Sequence, residues 1–287
     1  GAKKIVSRLR NTDYGGNGDD SISPEKFGID EVIHPEYEVA KEIVRLVKHP
    51  YAEKFYEFEN GKAVLFSKKL NHRSKIVNTT VEDFHKGNTD FKSLIVAIVR
   101  DEKMTIPSGS FKFEPDDNVF FFVKSKNLNL LLSSLGVSMP NSKRIMIAGA
   151  SKIGRKIARE LEGSMSVRLV DNREEKAKIV ASELGESIVM NADATDVEFL
   201  KNENIGEVDS FIAVTEDEQL NLLAGILAKQ LKVKQSVIHV SNPDYVKSMA
   251  DLGLGAIVSK NTSSVNSIVK AIRIDQKDNV IQIFSRL

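Results

Sequence analysis

From Lys143 to the end of the chain, short apolar runs alternate with amphipathic helical patterns. The apolar runs predict buried strands at residues 144–148, 167–170, 187–190, 209–214, 236–240 and 256–258. Between these runs and after the last one, apolar residues recur at helical spacing. Because strands and helices alternate in this way, the pattern predicts a parallel, doubly wound sheet with right-handed crossovers.

The first strand of this sheet is followed by the glycine turn of a dinucleotide-binding, Rossmann-type fold. Gly149 permits a tight turn out of the strand, and Gly154 lets the following helix pack closely on the sheet. The N-terminus of that helix directs unpaired N–H groups at a phosphate. Asp171 ends the next strand, where a carboxylate accepts hydrogen bonds from ribose hydroxyls and repels a ribose 2′-phosphate.

The turn departs from the usual Gly-x-Gly-x-x-Gly order at Ser151, which stands where the second glycine lets backbone approach a pyrophosphate. Two outcomes follow for this side chain. Either its Cβ and hydroxyl crowd the ligand, or the hydroxyl donates a hydrogen bond to it.

Residues 52–139 carry a different pattern, with strands at 63–66, 94–99 and 119–123. Short helices are expected from Thr80 to His85 and from Asn127 to Leu135. Turn-forming residues occur at 106–109 and 115–118. This segment predicts a small α+β domain without a visible catalytic cluster.

The N-terminal segment resembles the last part of the Rossmann segment, which indicates an internal repeat. Lys4–Tyr14 and Gln235–Tyr245 are both a strand followed by Asn-x-Asp-Tyr. A second apolar segment follows in each copy and leads into a helix, at Phe27–Ile33 and at Leu252–Val258. The comparison continues with Phe55–Phe66 and Ile274–Leu287. The chain is therefore expected to start inside one repeat and to stop inside the next.

This repeat predicts four parts. Residues 1–51 are the remnant of a first Rossmann domain, and they include a loop at Gly15–Ser23 and a helix from Pro35 to about His49. Residues 52–139 are the small α+β domain, and residues 140–273 are the complete Rossmann domain, entered through a linker at Pro140–Ser142. Residues 274–287 begin a second, truncated α+β domain.

The composition narrows the class of protein. The chain has 287 residues, 41% of them hydrophobic and 28% charged, with a net charge of +1. Near-neutral charge gives no support for nucleic-acid binding through a basic surface. The absence of cysteine excludes disulfides, cysteine-ligated metals and thiol catalysis. No apolar run approaches the ~20 residues that span a bilayer, and the N-terminal Gly-Ala-Lys-Lys is not a signal peptide pattern. We expect a cytoplasmic protein.

The sequence gives little support for an enzyme. Of the five histidines, His239 alone lies in the Rossmann segment, within a predicted strand, where a structural role is expected. Tyr37 and Lys41 have the spacing of a Tyr/Lys catalytic pair but precede the nucleotide fold, and we attribute the match to chance. We therefore predict no catalytic residues and no metal site. An NAD-dependent oxidoreductase and a non-binding structural scaffold remain as alternatives.

The motifs together carry a family resemblance. The Rossmann segment resembles the N-terminal half of the RCK or KTN module, the regulatory domain of potassium transporters and channels. The residues that carry this likeness are Gly149–Gly154, Leu169–Asp171, Ala192–Asp196, Phe211–Glu218 with Asn221, and Ser241–Tyr245. Residues 52–139 resemble the C-terminal half, through Val96–Arg100, Ile106–Gly109 and Pro115–Asp117. A tandem of such modules resembles the TrkA family of peripheral subunits in Trk potassium uptake systems. Ser151 and Ala192 depart from the family pattern, which has glycine at both places.

The resemblance implies a set of cofactor-binding residues. It places Gly149, Ser151, Lys152 and Ile153 around the phosphates and Asp171 at the adenosine ribose. It places Asp193 and Ala194 beside the adenine, and Thr215 near the distal phosphate or second ribose. Gly154 and Asn172 belong to the same cofactor-binding set. Local roles compete with some of these. Asp193 and Asp196 also suit the cap of the next helix. The acidic residues 216–218 suit a helix N-terminus or a solvated surface, and residues 173–176 a solvated helix face.

The resemblance also implies a function. We expect a non-catalytic, nucleotide-sensing regulatory subunit that acts on a membrane-embedded potassium transporter of the Trk or Ktr type, at the inner face of the cell membrane. NAD or NADH is the expected cofactor, with ATP or ADP as the alternative, since Asp171 fits the ribose of either.

A homo-oligomer, a dimer or higher, is expected for a physical reason. Apolar side chains of the N-terminal remnant lack the sheet they belong to, so they should find cover on a neighbouring chain or on the middle domain. They are Ile5, Val6, Leu9, Ile29, Val32, Ile33, Ile43, Val44, Leu46 and Val47. The last helix has a similar apolar face, formed by Val265, Ile268, Val269 and Ile272.

Overall fold

The computed structural model describes residues 4–9, 24–59, 61–137, 144–242, 245 and 254–273. These residues fall into two compact units. The parallel-sheet unit contains the described residues up to Val44 and those from Arg144 onward, and the antiparallel-sheet unit begins at Arg45 and includes the described residues up to Val137. The predicted loop at Gly15–Ser23, the linker at Pro140–Ser142 and the start of a second small domain at Ile274–Leu287 lie outside the described residues. The four-part division of the chain stays a prediction.

The N-terminal segment forms two short strands and a helix: β1 (Val6–Arg8), β2 (Glu31–Ile33) and α1 (Pro35–Lys48). β1 and β2 pair in parallel, with Val6 opposite Glu31. Helix α1 has acidic residues in its first turn and basic residues in its last turn, which complements the helix dipole. Val39, Ala40 and Ile43 recur at helical spacing, and all three are buried.

The antiparallel-sheet unit has five strands: β3 (Lys54–Phe58), β4 (Ala63–Lys69), β5 (Ser93–Arg100), β6 (Lys103–Thr105) and β7 (Asn118–Lys124). Their order in the sheet is β3-β4-β7-β5-β6, and neighbouring strands are antiparallel. Two helices accompany the sheet, α2 (Val81–Lys86) and α3 (Leu128–Ser134). A capping box between Thr80 and Asp83 starts α2. Phe66, Phe113 and Phe121 lie at the centre of the core.

The parallel-sheet unit continues from residue 144 with strands and helices that alternate as far as Val240. Its elements are β8 (Arg144–Ala148), α4 (Lys152–Leu161), β9 (Ser166–Asp171), α5 (Glu174–Glu183), β10 (Ile188–Asn191), α6 (Val197–Asn202), β11 (Ser210–Ala213), α7 (Glu218–Gln230), β12 (Gln235–Val240), β13 (Ala256–Ser259) and α8 (Lys260–Arg273). The six strands are parallel in the order β10-β9-β8-β11-β12-β13. The predicted fold class, a Rossmann-type doubly wound sheet plus a small α+β domain, is confirmed.

The strand order reverses between β8 and β11, because successive strands are added first on one side of β8 and then on the other. In sheets of this kind, ligands bind outside the carboxyl ends of the strands at that reversal point. A ligand site is therefore expected at the turns that follow β8, β9 and β11.

Helix α8 lies against the N-terminal segment within the same unit. Lys260 forms an ion pair with Glu36 at 3.3 Å, and the hydroxyls of Ser263 and Ser267 donate to Glu42 and Glu38. The Nζ of Lys4 donates to the carbonyl of Ala271 at 2.8 Å. The expected cover from another chain or from the middle domain is therefore corrected in part, since α8 of the same chain covers part of α1.

The two segments of the proposed repeat have the same local architecture. Each consists of two parallel strands followed by a helix, β1 and β2 before α1, and β12 and β13 before α8. Each of the two helices is 14 residues long.

Candidate functional site

The glycine turn after β8 packs against the end of β11. Gly149 has φ 110°, and a Cβ there would lie 2.6 Å from the Cα of Thr215. A Cβ on Gly154 would overlap the carbonyl oxygen of Gly149. Both positions therefore require glycine, the first for its backbone conformation and for the close approach of β11, and the second for the contact between α4 and the turn.

Ser151 has a structural role in this turn. Its hydroxyl donates to the carbonyl of Val214 at 2.6 Å and accepts from the N–H of Gly154 at 3.2 Å. The side chain is buried and caps the N-terminus of α4. Both outcomes expected for Ser151 concern a bound ligand, and they stay predictions. The hydroxyl fastens the turn to the segment that follows β11.

The carboxylate of Asp171 is held by four donors at the end of β9. Its Oδ2 accepts from the N–H of Ala150 at 2.8 Å and from Arg173 Nη2 at 3.1 Å. Its Oδ1 accepts from the N–H and from the Nε of Arg173, both at 3.0 Å. Burial by itself raises the pKa of Asp171, but the hydrogen bonds from Arg173 and Ala150 outweigh it and hold the pKa below its usual value.

These four bonds fill the acceptor positions of a carboxylate, which number about four. Two of the donors are backbone N–H groups, and the other two belong to the guanidinium of Arg173. Two neighbouring ribose hydroxyls could therefore reach Asp171 in place of the guanidinium, while the backbone donors remain. The residues fit a ribose only if the side chain of Arg173 moves.

A cleft of about 200 Å³ opens above the carboxyl ends of β8, β9 and β11. Of the predicted site residues, six line it: Gly149, Asp171, Asn172, Asp193, Ala194 and Thr215. Eight further residues complete the lining: Val170, Arg173, Ala192, Thr195, Glu216, Asp217, Leu220 and Ala224. Four predicted residues are not in the lining. Ser151, Ile153 and Gly154 are buried in the turn and the first turn of α4, and Lys152 is exposed there.

Asp193 and Asp217, which line the cleft, both stabilise local backbone structure. Oδ1 of Asp193 accepts from the N–H and the hydroxyl of Thr195 at 2.8 and 2.7 Å. Asp196, outside the lining, caps α6, and Asp217 caps α7 through the N–H groups of the residues that follow it. The capping role expected for Asp196 is therefore seen, whereas Asp193 stabilises the turn before α6 and does not cap the helix. Asp217, expected only to suit a helix N-terminus, caps α7.

Asn221 fixes the position of Thr215. Its Oδ1 accepts from the N–H and the hydroxyl of Thr215, both at 2.7 Å, and its Nδ2 donates to the carbonyl of His239 at 3.1 Å. The side chain of Asn221 is buried. The end of β11 is thereby joined to β12, and the Thr215 hydroxyl is engaged within the protein.

An ion-pair bridge crosses the cleft from the loop after β9 to the loop after β11. Arg173 Nη1 lies 3.0 Å from Glu216 Oε2, and Lys176 Nζ lies 2.7 Å from Glu216 Oε1. The two cations lower the pKa of Glu216, Lys176 first and then Arg173. Residues 173–175 are exposed, as expected for a solvated helix face, and Arg173 and Lys176 are in addition bound to Glu216.

Sequence reasoning missed this bridge, although one signal was available. Arg173 stands two positions after Asp171, and in extended backbone such side chains point to the same side. The pairing of Arg173 with Asp171 could have been inferred from that spacing. Glu216 is 43 positions away, and its part in the bridge depends on the order of the strands.

The described residues contain neither a cluster suited to a metal ion nor a membrane-spanning helix. No group of three or more His, Asp or Glu side chains in the described part of the chain is arranged to hold a metal ion. None of the helices within the described ranges is long and apolar enough to span a membrane.

His239 lies in β12, outside the cleft lining, and is buried. Burial, followed by the positive charge of Lys260, lowers its pKa to about 4. Its Nε2 has no hydrogen-bond partner among the described residues. A neutral histidine buried in a strand agrees with the structural role expected for it.

Family models match part of each unit. Residues 145–260 match the TrkA-N domain, and residues 69–136 match the TrkA-C domain. The first match covers nearly all of the parallel sheet, and the second covers most of the antiparallel-sheet unit.

Curated relatives align along most of the chain. A Trk system potassium uptake protein TrkA from Vibrio alginolyticus is 28% identical over 268 residues, which are 93% of this chain and 58% of that protein. The TrkA of Haemophilus influenzae is 26% identical over 275 residues, 96% of this chain and 60% of that protein. This chain therefore spans about three fifths of the length of these relatives.

Solved structures share the fold. The RCK domain of GsuK superimposes with a TM-score of 0.62 at 15% identity, covering 96% of this chain and 57% of that one. A GsuK channel bound to NAD gives a TM-score of 0.59 at 16% identity, covering 96% of this chain and 47% of that one. At such low identity the likeness establishes the fold alone.

Proposed function

This chain carries a TrkA-C domain followed by a TrkA-N domain, and from this premise we propose that it is a nucleotide-sensing regulatory part of a potassium uptake system. An adenine nucleotide binds in the cleft of the parallel-sheet unit, and its binding alters the activity of a separate, membrane-embedded potassium transporter of the Trk or Ktr type. The protein works in the cytoplasm, at the inner face of the cell membrane, as a homo-oligomer.

The observation that carries this proposal is the cleft itself. It lies at the reversal point of the strand order, where sheets of this class bind nucleotides. The glycine turn brings backbone close to the place of the phosphates, and Asp171 offers a carboxylate at the place of the ribose. Ala192, Ala194, Leu220 and Ala224 supply the apolar lining that an adenine ring requires.

NAD or NADH is the ligand we favour, with ATP or ADP as the alternative. The names of the curated relatives support the potassium uptake role, and one structure of the same fold was solved with NAD. All four ligands share the adenosine ribose, so Asp171 can serve each of them once the side chain of Arg173 has moved.

Regulation without catalysis is supported by the state of the ionisable side chains. Within the described lining of the cleft, each of them is already bound. Asp171 and Glu216 are held by Arg173, Asp193 by Thr195, and Asp217 by the first turn of α7. A dehydrogenase needs an acid or a base at the point of hydride transfer, and side chains committed in this way are poorly suited to that task.

A calorimetric titration of NAD, NADH, ATP and ADP tests the proposal, repeated with Asp171→Ala and Asp171→Asn. We expect the wild-type protein to bind at least one of these ligands. Losing a charge-assisted hydrogen bond to the ribose should weaken binding by about 1.5–3 kcal/mol. If both variants bound every nucleotide with unchanged affinity, the assignment of Asp171 to the binding site would be wrong.

A turnover assay separates the sensor from the enzyme. We expect no steady hydride transfer from NADH or to NAD with a panel of small alcohols and carbonyl compounds. Turnover that Ala194→Phe abolishes would instead support the oxidoreductase.

A further inference from the structure

The bridge between Arg173, Lys176 and Glu216 indicates how the cleft binds its ligand. In the sheet, β8 lies between β9 and β11. Arg173 follows β9, Glu216 follows β11, and both line the same cleft as Gly149, which follows β8. The ion pair therefore joins the loops on either side of β8, in the cleft where the proposed function puts the phosphates near the glycine turn.

The charges of the cleft do not otherwise suit a phosphate. Among the described lining residues, the acidic side chains are Asp171, Asp193, Glu216 and Asp217, against the one guanidinium of Arg173. Asp193 and Asp217 are engaged with local N–H groups. Lys176 brings a second cation to the rim through its contact with Glu216. A phosphate that enters the cleft is attracted by Arg173 and Lys176, the two cations that are bound to Glu216.

The two anions bound by Arg173 differ in how firmly they are held. The Asp171 side chain is 3% exposed and is also fixed by backbone N–H groups. The Glu216 side chain is 62% exposed, so its ion pairs are weakened by competing water and by dissolved salt. A phosphate offers Arg a bidentate, charge-assisted partner, which is stronger than an exposed carboxylate. Glu216 is thus the partner that a ligand can replace.

We propose that Arg173 and Lys176 form a phosphate-binding cation pair, and that the carboxylate of Glu216 competes with the ligand's phosphate for it. This inference rests on the proposed function, because it assigns the phosphate contacts of the same cleft. Two exchanges accompany binding. Ribose hydroxyls take the positions of the guanidinium on Asp171, and a phosphate takes the place of Glu216 on Arg173 and Lys176.

The test compares Glu216→Gln with Lys176→Gln in the full chain, with ADP as the titrant in a calorimeter. Glu216→Gln removes the competitor and should tighten ADP binding about two- to fivefold, the size of an exposed ion pair. Lys176→Gln removes a phosphate contact and should weaken ADP binding about fivefold. If the bridge only stabilised the fold, both variants would weaken binding. Opposite signs are therefore the expected result.

A matched pair of controls lies on the same helix. Glu174 and Lys178 form an exposed ion pair at 2.6 Å, outside the cleft lining. Glu174→Gln and Lys178→Gln each remove one charge of the same sign as Glu216→Gln and Lys176→Gln without touching the bridge, and each should change the affinity less than about twofold. Effects in these controls as large as those at Glu216 and Lys176 would reduce the bridge to general electrostatics and overturn the proposal.

The outcomes also separate the two proposals. If the wild-type protein binds ADP and Glu216→Gln binds it equally or more weakly, the exchange is wrong and the nucleotide site stands. If neither the wild-type protein nor any of the variants binds ADP, NAD, NADH or ATP, both proposals fall.

Discussion

At the scale of single residues, the turn after β8 shows which roles a motif determines. Gly149 and Gly154 have the packing constraints that the motif predicts, and Asp171 lies at the end of β9 as expected. The role of Ser151 could not be predicted, because it depends on Val214, a carbonyl 63 positions away. Side chains that bond within a few residues of themselves can be anticipated from sequence, whereas those that bond across the sheet cannot.

His239 gives a prediction about pH. Its folded pKa of about 4 lies below the ordinary value of 6.5, so the unfolded chain takes up a proton first as the pH falls. Stability that is present above pH 6.5 is therefore lost as the pH falls toward 4. Between pH 6.5 and 5 the loss should be on the order of 2 kcal/mol.

Thermal or denaturant unfolding at several pH values measures this loss. We expect His239→Leu to flatten the dependence between pH 6.5 and 5, because it removes the titrating ring. His72, an exposed histidine, offers the matched control, and His72→Leu should leave the slope unchanged. An equal slope in the wild-type protein and in His239→Leu would show that another group carries the effect.

At the scale of elements, the parallel sheet could be predicted closely because its strands are continuous apolar runs. The predicted strands at 144–148, 187–190 and 236–240 correspond to β8, β10 and β12 within one residue at each end. The strands β3 and β6 were harder to predict from the sequence. β6 is three residues long and exposed throughout, so no apolar pattern marks it. Short strands that depend on a neighbour for their hydrogen bonds leave little trace in the sequence.

The contact of α4 with the glycine turn gives a prediction for that element. Gly154→Ala places a Cβ against the backbone oxygen of Gly149, and backbone cannot move aside as a side chain can. We expect a loss of about 1–3 kcal/mol in the free energy of unfolding, or more, and a weaker affinity for nucleotide.

Gly163 is the matched control for this substitution. It follows the same helix, and a Cβ there would meet nothing within 4 Å. Gly163→Ala should change the free energy of unfolding by no more than about 0.5 kcal/mol. Chemical denaturation of both variants decides the matter, and equal stability of the two would contradict the packing described for the turn.

At the scale of the whole molecule, the N-terminal segment is not left without cover. Ile33, Val39 and Ile43 are buried, and α8 contacts α1 in the same unit. An apolar surface remains on α8, where the side chains of Val265 and Val269 are 56% and 38% exposed. The expectation of an oligomer therefore rests on Val265 and Val269 of α8 and no longer on the N-terminal segment.

The oligomer stays a prediction, and light scattering at micromolar concentration measures it. We expect a mass that is a multiple of the 31.9 kDa chain. Val265→Asn with Val269→Asn should shift the mass toward the monomer, since burying an apolar side chain stabilises an interface by about 1.5–3 kcal/mol. A clean 31.9 kDa species in the wild-type protein would show that the chain covers its own apolar surface.

Calorimetry with a cleft-filling variant tests most directly whether an adenine nucleotide occupies the cleft. Ala194 lines the cleft and is partly buried, so Ala194→Phe places a ring where the adenine would lie. We expect NADH or ADP to bind the wild-type protein with one site per chain. Ala194→Phe should give no binding heat while its melting temperature stays within a few degrees of the wild type. Equal binding by a folded Ala194→Phe, or no nucleotide binding by the wild-type protein, would contradict the account.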